Sequence, residues 1–173
     1  IQALALPDDP PSLLRGKLGV SKRVAWAPPL DLEEVKAVGR ACGCTVNDVL
    51  MATASGALRD YMIERGEHVD GLTLRATVPV NLRPLEHARK LGNHFGLVFL
   101  DLPVGIGNPV RRLEHVAECM NQLKNSRQAI VAFGLLATIG MLPPAVQQLA
   151  LELFSRKATT VATNVPGPQM PLY

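Results

Sequence analysis

Aromatic residues are scarce: four Phe, two Tyr and one Trp in 173 residues. That is too few for the stacking platforms on which proteins lay unpaired bases. Neither sign of charge is in excess. Eighteen Lys and Arg face fifteen Asp and Glu, giving a formal net charge of +3 with the basic residues scattered rather than gathered in a stripe, so no nucleic-acid partner is expected. Cysteine stops at three, an odd count, and no signal-peptide pattern opens the chain, which points to reduced thiols in a cytoplasmic setting. His68, His87, His94 and His115 show no metal-ligand spacing, and Cys42-Gly43-Cys44 is too tight for a zinc knuckle. No metal site is expected, and there is no Gly-x-Ser-x-Gly nucleophile elbow.

What is present suits a folded domain. Apolar residues make up 47% and charged residues 19%, with 14 Gly and 14 Pro, at a length that supports a core without staples. The chain opens on Ile1 and stops at Tyr173 after Pro171 and Leu172, with no polar tail, and reads as a piece of a longer protein.

Residues 1–22 hold three prolines, two glycines and paired aspartates with no periodicity, and are taken as a linker or crossover. Residues 23–173 are expected to form the folded unit. Asp31 is placed to cap a helix ending near Gly43; Thr45, with Asp48 three residues on, opens a second that runs to Gly66, with Val46, Leu50, Ala54, Leu58 and Tyr61 at helical spacing. Leu72 to Val80 alternates as a strand in which Pro79 argues for an edge or an end, and Gly96 to Leu102 is apolar enough for a strand covered on both faces. Asn108-Pro109 starts a third helix, with Leu113, Val116, Met120 and Leu123 on one side, that runs to about Ser126. From Gln128 to Leu151 there is no charge, but Pro143-Pro144 divides the stretch. The part before that break makes about 21 Å of helix, short of a bilayer core of about 30 Å. Thr159 to Val165 reads as a last strand. Alternating helices and strands imply an α/β layer with a mixed sheet covered by helices.

Four segments are candidates for chemistry. In Thr45-Val-Asn47-Asp48, Thr45 and Asp48 can cap each other's backbone, while Asn47 adds little to the helix and is free for an outside contact. Gly92-Asn93-His94-Phe95-Gly96 is either a bulge before a buried strand or backbone lining a ligand channel. Asn164-Val-Pro-Gly167-Pro168 is a rigid exit from the last strand, a pocket wall or a structural corner. Gly105-Ile-Gly107-Asn-Pro lacks the third glycine of a dinucleotide loop and reads as a turn with a cap.

Together, Thr45-Val-Asn-Asp-Val-Leu, Val78-Pro-Val-Asn-Leu-Arg-Pro84, Leu91-Gly-Asn-His-Phe-Gly96 leading to Leu102-Pro103, and Ala162-Thr-Asn-Val-Pro-Gly-Pro168 resemble the carboxy-terminal half of the bacterial wax ester synthase/diacylglycerol acyltransferase family, within the chloramphenicol-acetyltransferase-like superfamily. The resemblance implies one lobe of a two-lobe acyltransferase, with a tunnel between lobes where long-chain acyl-CoA, as substrate rather than cofactor, meets a fatty alcohol or diacylglycerol. It implies that the general base, in a His-His-x-x-x-Asp-Gly motif absent here, lies on an amino-terminal lobe that is this chain's partner. By that resemblance Asn47, Asp48, Gly92, Asn93, Asn164 and Gly167 bind substrate and no residue of this chain is the base. Ala129 to Leu142 is expected to be buried core, with peripheral contact on a membrane or lipid droplet the alternative. The rival reading is a non-enzymatic lipid- or partner-binding α/β module.

Overall fold

The computed structural model describes residues 6–16, 19–82, 95–126 and 128–165. Among these, five helices and three strands follow the order α1 (Leu32–Cys42), α2 (Val46–Glu64), β1 (Leu74–Asn81), β2 (Phe95–Leu102), α3 (Pro109–Lys124), α4 (Gln128–Gly140), α5 (Pro144–Ser155), β3 (Thr160–Val161).

Local chemistry sets the boundaries. Asp31 accepts from the Glu33 amide at 2.7 Å to start α1, and Gly43, at φ 64°, ends it in the left-handed conformation that glycine adopts without penalty. Asn108 caps α3 through the amides of Val110 and Arg111, with Pro109 first in the helix. Pro143 and Pro144 part α4 from α5, as the sequence requires.

The sheet has the order β2-β1-β3. β1 pairs antiparallel with β2 from Leu74↔Leu102 to Asn81↔Phe95, and parallel with β3 at Ala76↔Thr160 and Thr77↔Val161, so the sheet is mixed. β1 is therefore the central strand, and the edge reading of Pro79 needs correcting. Arg75 and Thr77 turn their carbonyls towards β3. By alternation the amide that Pro79 lacks faces the same side, beyond the point where β3 pairing stops. No β1–β2 hydrogen bond is lost. The last strand is also shorter than the Thr159–Val165 expected from its β-branched residues: it spans Thr160–Val161, and the Ala162 amide on the Thr77 carbonyl is the last bond to β1 among the described residues.

One sheet face carries Leu74, Ala76, Leu100 and Leu102 against Met62, Val69 and Val104, with Met120 and Leu123 of α3 packed around them. A second cluster joins Val49 and Ala52 of α2 to Leu113 and Val116 of α3. The core side of α2 is thus Val49, Ala52, Ser55, Gly56 and Met62, one residue out of step with the Val46, Leu50, Ala54, Leu58, Tyr61 spacing. That spacing marks a different face. On the other side of the sheet, Phe99 stacks on Phe154 of α5 with centroids 6.4 Å apart.

At Gly96 the backbone of α4 lies directly on β2. A Cβ there would stand 2.0 Å from the Ala129 carbonyl oxygen, so only glycine permits this approach.

The expectation of core burial for the uncharged stretch is overturned. Of α4 only Ala132 is buried and of α5 nothing is, while Ile130, Met141, Leu149 and Leu151 stand in solvent. The described part of the chain offers cover to one side of these helices only. No described helix is long and apolar enough to cross a membrane.

Residues 6–16 are fastened to the lobe. Leu13 N–H donates to Glu67 Oε1, Lys157 Nζ to the Leu6 carbonyl and to Asp8, and Arg75 Nη1 to the Pro7 carbonyl. The hydrogen bond from Lys157, joined by the charges of Lys157, Arg156 and Arg15, holds the Asp8 carboxyl below its ordinary value against the opposing effect of desolvation.

Candidate functional site

The start of α2 and the end of β3 meet. Thr45, in extended backbone, accepts the Asp48 amide at 3.3 Å, and Asp48 Oδ2 accepts the Thr45 amide at 2.7 Å. This reciprocal pair supplies two of the four amides that a helix start leaves unbonded. It fixes the first turn so that Asn47, between the two partners, points away from the cap. Its Oδ1 accepts from Asn164 Nδ2 at 2.6 Å, across 117 residues of chain. Asp48 is 4% exposed, and its second oxygen is buried with no hydrogen-bond partner among the described residues.

Met51, Ala54, Leu58 and Tyr61 continue the face that Asn47 begins, at steps of three and four residues. They form one wall of a cleft of about 400 Å³ whose other wall is Thr160, Val161 and Ala162, with Leu102 beneath. Asn47 lies one turn before Met51, and Asn164 two residues after Ala162. The amide pair therefore lies, along both segments, just beyond one end of this mainly apolar trough. Among the described residues, Asn47 Nδ2 and Asn164 Oδ1 are left as a donor group and an acceptor group. No histidine, cysteine or carboxylate stands among the described lining residues.

A second cavity of about 360 Å³ lies at the opposite sheet face, lined by Arg75, Phe99, Asp101, Cys119 and Gln128 among others. Burial, then the charges of Asp101 and Glu118, push the Cys119 thiol above its ordinary 9.0. Cys44, whose Sγ donates to the Cys42 carbonyl, is raised in the same direction, first by burial. Among the described residues no three His, Cys, Asp or Glu are grouped to hold a metal.

Of the six candidate residues, the structure joins Asn47 to Asn164 and puts Asp48 in the helix cap beside them. Gly92, Asn93 and Gly167 lie outside the described residues. The cleft wall was missed as a site. Its signal was present in the Ala54, Leu58, Tyr61 spacing, which belongs to a face that is lined but not closed.

Residues 91–173 match the family model described as WS/DGAT C-terminal domain. The probable diacylglycerol O-acyltransferases tgs2 and tgs1 of Mycobacterium tuberculosis are 35% and 34% identical over 99% and 93% of this chain. The chain spans 38% and 35% of those two proteins' lengths. A solved structure of the wax ester synthase/diacylglycerol acyltransferase from Marinobacter aquaeolei VT8 superposes with a TM-score of 0.56 at 26% identity, covering 82% of this chain and 31% of that one.

Proposed function

Because the chain belongs to the wax ester synthase/diacylglycerol acyltransferase family, through the C-terminal domain that its residues 91–173 carry, we propose that it is the carboxy-terminal lobe of a long-chain acyl-CoA O-acyltransferase acting on a fatty alcohol or diacylglycerol. The observation that carries this reading is the Asn47–Asn164 pair at the head of the apolar cleft. From Asn47 to Tyr61 the helix face runs about 21 Å, the length of an extended chain of about 17 carbons at about 1.25 Å each. Such a cleft fits an acyl tail, and the spare amide atoms fit a carbonyl at its end.

The reaction needs a base to take the proton of the acceptor hydroxyl as that oxygen attacks the thioester carbonyl. The coenzyme A thiolate then leaves and recovers the proton. That base belongs to an amino-terminal lobe facing the cleft, in keeping with the absence of paired histidines here. This chain supplies shape, exclusion of water and amide contacts. The test is thiol release from palmitoyl-CoA with hexadecanol, by this chain alone and after mixing with the missing lobe. Activity only in the mixture is expected, and turnover by this chain alone at the whole enzyme's rate overturns the assignment.

A second reading has its own observation. The exposed apolar residues of α4 and α5 suit peripheral contact with a membrane or lipid droplet, from which both substrates would be drawn. Flotation with phospholipid vesicles separates the two. Binding without acyl transfer in the reconstituted two-lobe protein would favour the non-enzymatic lipid module over the enzyme.

A further inference from the structure

The most buried acid among the described residues lies in the segment least expected to hold one. Asp9 is 3% exposed. Its Oδ2 accepts from the Arg75 amide at 3.1 Å and from the Thr159 hydroxyl, and its own amide donates to the Arg156 carbonyl at 2.9 Å. Its Oδ1 has no hydrogen-bond partner among the described residues, with Arg75 Nη1 3.9 Å away. One carboxylate thus clasps the crossover, the central strand and the turn that leads into β3.

β3 gains from such a clasp. It is two residues long, and its flanks hold to β1 through the Thr159 amide on the Arg75 carbonyl at 2.9 Å and the Ala162 amide on the Thr77 carbonyl at 3.0 Å, with Arg75 Nη1 on the Lys157 carbonyl at 3.2 Å just before them. β3 itself, with Ala162, is the cleft wall, and Asn164 follows it. A shift at Thr159 moves all of these together. Burying a carboxylate with one oxygen lacking a hydrogen bond is a costly way to tie down a surface turn, whereas an acceptor-only group does receive an N–H and an O–H at one oxygen.

We propose that Asp9 is a positioning residue of the acyl-transfer site, fixing through Thr159 the strand that walls the cleft and presents Asn164 to Asn47. This rests on the acyltransferase reading above. The crossover is then part of the site rather than a tether between lobes.

The test uses the full-length two-lobe enzyme. Thr159→Val keeps the shape and removes the hydroxyl donor, and Thr159→Ser keeps the donor. Thr159→Val is expected to lower kcat/KM for palmitoyl-CoA about tenfold, the effect of losing a hydrogen bond to a charged acceptor, with Thr159→Ser close to wild type. The loss should disappear in an Asn164→Ala background, the double variant matching Asn164→Ala within about twofold. Hydrogen exchange at the Ala162 amide should rise about tenfold in Thr159→Val, with α3 amides unchanged. Asp9→Asn, which retains an acceptor oxygen, should fall between wild type and Asp9→Ala. Losses that add in full to Asn164→Ala, impairment of Thr159→Ser equal to that of Thr159→Val, or unchanged turnover in Thr159→Val each overturn the proposal. Absence of acyl transfer in the wild-type full-length enzyme would overturn the acyltransferase reading instead, and the exchange measurement would still decide whether Asp9 and Thr159 hold β3.

Discussion

The α2–α3 layer and the α4–α5 pair are both rich in apolar side chains, and only the first closes over them. Met62, Leu74, Leu100 and Val116 are wholly removed from solvent, because α2 and α3 each turn one apolar side to the sheet and charged residues outward. α4 is apolar all round, and a helix of that kind needs cover all round. A three-stranded sheet presents too little area to give it. Burial thus follows the surface available to each helix more closely than its composition. Exposed apolar area of this extent marks a face that meets something else.

Truncation gives the sharpest contrast. Leu100→Ala is expected to cost about 3 kcal/mol of stability in urea denaturation. Leu149→Ala, on the open face of α5, should stay within about 0.5 kcal/mol. A loss at Leu149 equal to that at Leu100 would show the pair to be core after all. The converse experiment adds charge. Ile130→Glu with Leu149→Glu should reduce recovery with floated vesicles by more than tenfold, since each side chain forfeits about 1.5 kcal/mol or more of apolar transfer, while the melting temperature holds. Undiminished flotation would leave a protein partner as the cover for this face.

The cleft face of α2 stands between these extremes, and its polar end can be probed without disturbing the core. In the two-lobe enzyme Asn47→Ala should lower acyl transfer by about tenfold, as expected for one hydrogen bond worth about 1.4 kcal/mol, with little change in melting temperature. Thr45→Ala should cost about 1 kcal/mol of stability through the lost cap, with a smaller effect on transfer. Equal losses that track melting temperature would reduce Asn47 to a part of the cap.

The smallest effect concerns the second cavity. Cys119 has its thiol raised, first by burial and then by Asp101 and Glu118, so less of it is thiolate at pH 8 and iodoacetamide should modify it several-fold more slowly than the exposed Cys42. A raised value keeps the proton to higher pH, so its rate should climb as pH passes 9. A Cys119 rate equal to that of Cys42 at pH 8 would show the cavity to be open to solvent.

Much of this was legible in the residues. Caps at Asp31, Thr45 and Asn108, the helix stop at Gly43 and the break at Pro143 are local chemistry, and each falls where the sequence puts it. The partners of each surface were not legible. Pro79 could not reveal that its missing amide faces a side where pairing has already stopped, nor could the apolar run at 128–151 reveal that the sheet lacks room for it. Asn47 and Asn164 were separately suspected, but their contact depends on how β3 returns beside β1, a long-range choice that no spacing encodes. Asp9 was hidden for the opposite reason: its neighbours Pro7, Asp8, Pro10 and Pro11 suggest a solvated tether, and its partners lie 66 and 150 residues away.

The close approach at Gly96 has a consequence for how this lobe can vary. Because α4 is seated there by main chain against main chain, its attachment makes no demand on the chemistry of the outward side chains. Under random substitution, position 96 should accept no other amino acid, whereas Gly134 and Gly140, with open space around them, should accept many. The outer surface of α4 can then diverge between relatives to suit whatever each one rests against, while the scaffold underneath stays the same.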